Sequence, residues 1–157
     1  MAKTIKVINR LGGQQVVNSM PVSFPVIAGA ASTIKTGMLV IADLPVNPGF
    51  WRAAADGTTT VTEINAGIAT SDSTETVGAN GVVTLDIADV MMVSIKAKTP
   101  GNLVATMKGV AFALGVVGSD YVMDEGAPGA TGIFTLLDYD NIVDGNCTCL
   151  MTTHWRG

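Results

Sequence analysis

The chain has 157 residues, 48% of them hydrophobic and only 14% charged, with a formal net charge of −4. That length suits one domain, or one domain with an arm, and is enough to bury an ordinary core without a disulfide framework. The charged fraction lies well below the roughly 25% of an average soluble domain, yet no run approaches the ~20 apolar residues of a membrane-spanning helix; a membrane partner is excluded on that ground, and the surplus apolar surface points to contact with other protein.

The opening Met1-Ala2-Lys3-Thr4-Ile5-Lys6-Val7-Ile8 has no apolar signal core with a small-residue cleavage site, so no secretion signal is expected and Cys147 and Cys149 are expected as reduced thiols. The tip is basic through Lys3, Lys6 and Arg10 and β-prone through Ile5, Val7 and Ile8. Gly12-Gly13 follows as a hinge, and Pro21 and Pro25 remove backbone donors and bias their neighbours toward extended geometry. These features predict an extended N-terminal arm over 1–27, with a loose terminus as the alternative reading, and a β-rich domain over 28–157. Lys3, Ile5, Lys6, Val7, Ile8 and Arg10 are the candidate interface residues, because a tip this short needs a sheet edge supplied by another strand, here a neighbour's.

Beyond the arm, β-branched residues dominate and the chain reads as short strands. Gly37 to Ala42 and Thr58 to Ile64 are the first two. Asn80-Gly81, a dipeptide suited to tight hairpin turns, precedes the alternation of Val83, Leu85 and Ile87 with Thr84 and Asp86. Met91, Val93, Ile95 and Ala97 then alternate with Met92, Ser94, Lys96 and Lys98, and a period of two places each set on one sheet face. Asn102 to Leu114 reads as strand from the alternation of Leu103, Ala105 and Met107, with helix as the alternative. Ile133 to Tyr139 and Cys147 to Thr153 complete the set. Turn signals at Asp56-Gly57, Pro100-Gly101, Pro128-Gly129 and Asp144-Gly145 separate them. The predicted fold class is all-β: a small sandwich or barrel-like domain of short antiparallel strands.

Little in the sequence promises chemistry. His154 is the lone histidine, three residues from the end, and no G-x-S-x-G is present, so no catalytic residues are assigned. Cys147 and Cys149 fall on one strand face and read as small buried apolar groups; with one His they are too few for a tetrahedral zinc site. Asp120, Asp124, Glu125, Asp138, Asp140 and Asp144 read as solvated turn acids, without the ligand order of a calcium loop. No Lys or Arg lies between Gly109 and Trp155, and so acidic a stretch disfavours nucleic acid as a partner. No cofactor is expected.

Several runs resemble tailed-bacteriophage capsid decoration, or cement, proteins: Asn65-Ala66-Gly67-Ile68-Ala69, Asn80-Gly81-Val82-Val83-Thr84-Leu85, Ile95-Lys96-Ala97-Lys98-Thr99, Val122-Met123-Asp124-Glu125, Gly132-Ile133-Phe134 and Leu136-Leu137-Asp138-Tyr139-Asp140. The likeness covers the last two thirds of the chain and is one of style, short strands separated by Gly and small residues. It implies a structural virion protein, made in the host cytoplasm and seated on the outer surface of an icosahedral capsid, where it docks as a homo-oligomer (dimer or trimer) across junctions between major capsid protein subunits. It implies no catalytic residues, and the arm would reach a neighbouring subunit. The alternatives are another phage structural part, such as a tail or fibre-associated β-protein, and a small-molecule-binding β-barrel, which would need a cavity with converging polar groups.

Overall fold

The computed structural model describes residues 5–9, 20–29, 34–58, 65–87, 90–141 and 145–153. The described residues form eleven strands in two sheets, with a single 3₁₀ turn at Ala105–Met107. The all-β expectation holds.

The clearest alternation in the sequence becomes the central strand of the first sheet. In β7 (Val90–Ala97), Met91, Val93, Ile95 and Ala97 are buried while their neighbours are half-buried. β11 (Asn146–Thr152) runs antiparallel to it in unbroken register from Asn146↔Lys96 to Thr152↔Val90. β10 (Phe134–Tyr139) continues the sheet with a bulge between Leu136 and Asp138, and β8 (Ala111–Val117) and β9 (Asp120–Pro128) form a hairpin beyond it. A parallel contact, Lys96↔Val122 and Ala97↔Met123, then returns β9 to β7. The ring β7-β11-β10-β8-β9 is thereby a closed five-stranded barrel, which removes the sheet edges an open sheet would leave. β1 (Lys6–Asn9) lies on the same edge of β7 that β9 uses further along, with Lys6↔Ser94, Val7↔Val93 and Asn9↔Met92 opposed.

The second sheet has the order β2-β6-β5-β3-β4, with β2 at Met20–Val26, β6 at Gly81–Ile87, β5 at Ala66–Ala69, β3 at Leu39–Ala42 and β4 at Trp51–Ala53. Its middle is apolar on both faces. Leu39, Ile41, Ala66 and Ile68 join the barrel's Val93, Phe112, Leu114 and Phe134 in one core cluster. Val40, Ala69, Val83, Leu85, Val26 and Trp51 form a second cluster on the opposite face. The sheet curls around this second cluster until its two outer strands meet, Phe24 of β2 stacking at 4.2 Å on Trp51 of β4. Gly67 permits the closeness of β5 and β6, since a Cβ there would lie 2.9 Å from the Asp86 carbonyl oxygen.

Several expectations are corrected. The described part of the proposed arm is built into the molecule: β1 pairs with β7, and β2 pairs with β6 over its whole length. Pro21 and Pro25 do not end the strand, because β2 is an edge strand and both prolines are exposed at positions of one parity, where the missing N–H points away from β6. The hairpin reversal before β6 is at Thr76–Ala79, not at Asn80-Gly81. Asn80 instead accepts a hydrogen bond from the Ala28 N–H at 2.8 Å, and Gly81 leaves room for the backbone of Glu75, which a Cβ would strike. Residues 102–110 form neither strand nor α-helix. Leu103 is buried, but the chain turns through Ala105–Met107 and then through Gly109 at φ +82°, so β8 starts only at Ala111. Most of the strand expected over 58–64 lies outside the described residues.

Leu39 is fully buried where the two sheets share their core. Leu39→Ala is expected to lower the unfolding free energy by about 2–5 kcal/mol, while Val117→Ala, at a half-exposed strand end, should change it by less than about 0.5 kcal/mol. Urea titration of both variants checks the contrast.

Candidate interaction surface

The candidate interface residues Ile5, Lys6, Val7 and Ile8 are gathered along the β7 edge of their own chain; Lys3 and Arg10 lie outside the described residues. Ile5, only 2% exposed, is part of the barrel core, and its N–H donates to the Gly37 carbonyl at 2.9 Å. A freely projecting tip is therefore corrected at these positions: the edge that the short strand needs is supplied within the molecule.

The cysteines lie where their spacing put them. Cys147 and Cys149 are fully buried on one face of β11, and the Cys149 Sγ lies 3.6 Å from the Met123 Sδ. Desolvation, reinforced by the nearby Glu125 and Asp140 charges, pushes the Cys147 thiol from its ordinary 9.0 up to about 12, and burial drives Cys149 in the same direction. Thiols so protonated are poor nucleophiles and poor metal ligands. Among the described residues no three His, Cys, Asp or Glu side chains are gathered to hold a metal, and His154 and Asp144 lie outside them.

The acids are not simply solvated. Glu125 is buried, and its carboxylate accepts hydrogen bonds from the Thr99 N–H at 2.8 Å and the Lys98 N–H at 3.0 Å, just past the end of β7. The Lys98 N–H also donates to the Met123 carbonyl at 2.9 Å. Glu125 thus clamps the point where the parallel β7–β9 contact closes the barrel. Asp124 pairs with Lys98 at 2.7 Å and Asp138 with Lys108 at 2.6 Å; these contacts raise the Lys98 and Lys108 ammonium groups and lower the Asp138 carboxyl from their ordinary values. The sequence concealed this balance because the lysines precede the acidic stretch. Asp140 accepts from the Asn146 N–H at 3.2 Å and fixes the turn into β11.

Among the exposed apolar residues, two groups stand together on turns and strands. The loop from β3 to β4 displays Leu44 (49% exposed) and Val46 (75%), flanked by exposed Pro45 and Pro48. Its charge is turned inward: Asp43 is buried, accepting from the Asn47 Nδ2 at 2.6 Å and the Arg52 Nε at 3.1 Å. On the outer face of β2 and β6, exposed Pro21, Pro25 and Val82 stand beside a Ser23–Thr84 hydroxyl contact of 3.3 Å, and Val77, 93% exposed, tips the turn at the same end of β6. Glu75 belongs to this end, but both of its carboxylate oxygens are buried, with no hydrogen-bond partner among the described residues. The sequence pointed to an apolar interface through composition alone; it did not show which turns would carry it.

No protein-family model matches the chain, and no curated protein or solved structure shows significant similarity to it. Among the described residues, no helix is long and apolar enough to cross a membrane.

Two outcomes test the buried groups. Glu125→Ala strips the Glu125 acceptor from the Thr99 N–H and leaves the Lys98 N–H with the Met123 carbonyl alone, and should lower stability by about 1.5–3 kcal/mol; Glu125→Gln, which keeps one acceptor oxygen, should lose less, as read from urea midpoints. The thiols set an alkaline limit. Their native pKa values are raised, so above the ordinary 9.0 the unfolded chain releases protons that the native state still holds. Their contribution is intact below about pH 9 and falls as pH rises toward the native value. Tyr121, whose buried hydroxyl donates to the Ala54 carbonyl and whose pKa burial pushes from 10.0 to about 12, adds a later loss of the same sign. Melting temperatures should therefore fall between pH 9 and 10, and the Cys147→Ala, Cys149→Ala double variant should show a shallower fall in that interval.

Proposed function

We propose that this chain is a non-enzymatic structural protein of a phage virion, a decoration protein that binds the outer surface of an icosahedral capsid and stabilises it by bridging major capsid protein subunits as a dimer or trimer. The observation that carries this reading is the uncharged apolar surface of Leu44, Val46, Val77 and Val82, held out on turns and strands whose nearby charged groups, Asp43 and Glu75, are turned inward. Exposed apolar residues on a rigid frame suit repeated packing against other protein, since they bury area without a long flexible side chain to order. Each contact is small, but contacts repeated around a bridging oligomer become effectively intramolecular and add up to strong attachment. The sequence resemblance to decoration proteins supplies the capsid as the partner.

Cryo-electron microscopy of capsids with and without the protein tests the reading: density over capsomer junctions is expected on the outer surface. Density confined to a tail or fibre would assign the chain to another virion part, and none on any particle would reject the proposal. Val46→Asp combined with Val82→Asp should leave melting within a few degrees of the parent, because Val46 is 75% and Val82 49% exposed, yet reduce capsid occupancy. Undiminished occupancy would remove these residues from the interface.

A further inference from the structure

We infer that β1 is an exchangeable strand, and that the β7 edge it occupies in its own chain is the receptor for β1 of a second copy. Four residues make up β1, and among the described residues it pairs with β7. Its described attachment includes a short ladder interrupted by a bulge between Val7 and Asn9, and beside it the buried Ile5, whose N–H donates to the Gly37 carbonyl. A ladder so short releases readily, but its loss would bare the β7 backbone at 92–94 and uncover the core beside Val93. An edge left open in this way is a template for another strand of matching pattern, and the strand that matches it best is another copy's β1.

The placement of the following strand makes the exchange geometrically accessible. β1 sits on the barrel and β2 on the edge of the second sheet, so residues 10–19 connect two different sheets. That segment contains Gly12-Gly13 and no proline, and ten residues reach about 35 Å when extended, roughly the diameter of a domain of this size. Ladder, Ile5 site and Gly37 contact are the same whether the strand comes from its own chain or from a neighbour, so exchange alters the contacts little and is driven by concentration. The competing edge is less open to such addition: on β2, Pro21 and Pro25 leave Ser23 between them as the one position of that parity with an outward N–H. Exchange gives the homo-oligomer a defined link, and it stands apart from whether the partner surface is a capsid.

Lys6 and Ser94 are opposed in the β1–β7 register, so Lys6→Cys with Ser94→Cys reports which chain supplies the strand. An equal mixture of ¹⁴N and ¹⁵N double-variant chains, unfolded and refolded together at high concentration, is oxidised, digested and read by mass spectrometry. Exchange predicts heavy–light disulfide-linked peptides; heavy–heavy and light–light pairs alone would overturn it. Native mass spectrometry of the otherwise unaltered chain provides a second readout that needs no disulfide. The intact chain should be oligomeric and a chain lacking residues 2–9 should be monomeric, whereas an oligomeric state unchanged by the deletion would overturn the inference. Neither readout involves capsids, so a failure here leaves the capsid reading standing, and the reverse also holds.

Discussion

The barrel depends on one strand sharing an edge. β7 gives one side wholly to β11 and divides the other between β1 at 92–94 and β9 at 96–97. Its antiparallel and parallel partners therefore meet near Ile95, where the ladder changes direction and backbone donors risk being left without acceptors. Buried and unpaired, each such group would cost about 1–3 kcal/mol. The far end of the β7–β9 contact is secured by a side chain: Glu125 reaches across from β9 and accepts from the Thr99 N–H and, beside the Met123 carbonyl, from the Lys98 N–H. A carboxylate suits this task, since it offers two acceptor oxygens and forms stronger hydrogen bonds than a neutral group. Closure lets Met91, Val93, Ile95 and Ala97 face a core walled by the ring and so ties the alternation of β7 to the stability of the whole fold.

Closure also explains the second sheet. A barrel of five short strands has a small interior, and this chain carries more apolar residues than such an interior can bury. The surplus is covered by β3 and β5, whose Leu39, Ile41, Ala66 and Ile68 extend the barrel core outward. Strands that present apolar residues on one face to the barrel leave the other face exposed, and the curl of the second sheet answers this by enclosing Val40, Ala69 and Leu85 beneath Phe24 and Trp51. Backbone contacts join the layers as well: the Gly57 N–H donates to the Leu114 carbonyl, and the Tyr121 hydroxyl reaches the Ala54 carbonyl at 2.8 Å. The two sheets are therefore one packing unit.

How much of this was legible follows from the range over which each signal acts. The alternation in 83–87, 91–97 and 147–153 is local, reports burial on one face and reads directly as β6, β7 and β11. The pairing of Cys147 and Cys149 on an apolar face follows from the same parity. Pro21 and Pro25 misled because their missing donors argue against a strand only where both edges are paired; that β2 is an edge strand depends on β6, sixty residues away. Leu103, Ala105 and Met107 alternate without forming a strand, since Leu103 alone is buried and Gly109 turns the chain at positive φ. Glu125 was indistinguishable from the other acids of 109–155, because what sets it apart is two N–H groups contributed from 98–99. The exposed turns could not be placed from composition, which counts apolar residues without saying which will find partners.

The way the molecule treats its strand edges bears on how copies can meet. An apolar β-protein with little charge has weak long-range repulsion to keep copies apart, so every open edge is a potential site of uncontrolled pairing. Here the barrel has no edge along its ring, β2 carries prolines outward, and β4 is only three residues long. Such restriction guards an apolar chain against uncontrolled edge pairing, and it leaves side-chain surfaces rather than free edges as the places where contact can form. The uncharged tips at Leu44–Val46 and Val77–Val82 and the short β1 are among the features left available for contact, and the same sparing use of charge that makes the edges hazardous makes those tips able to pack.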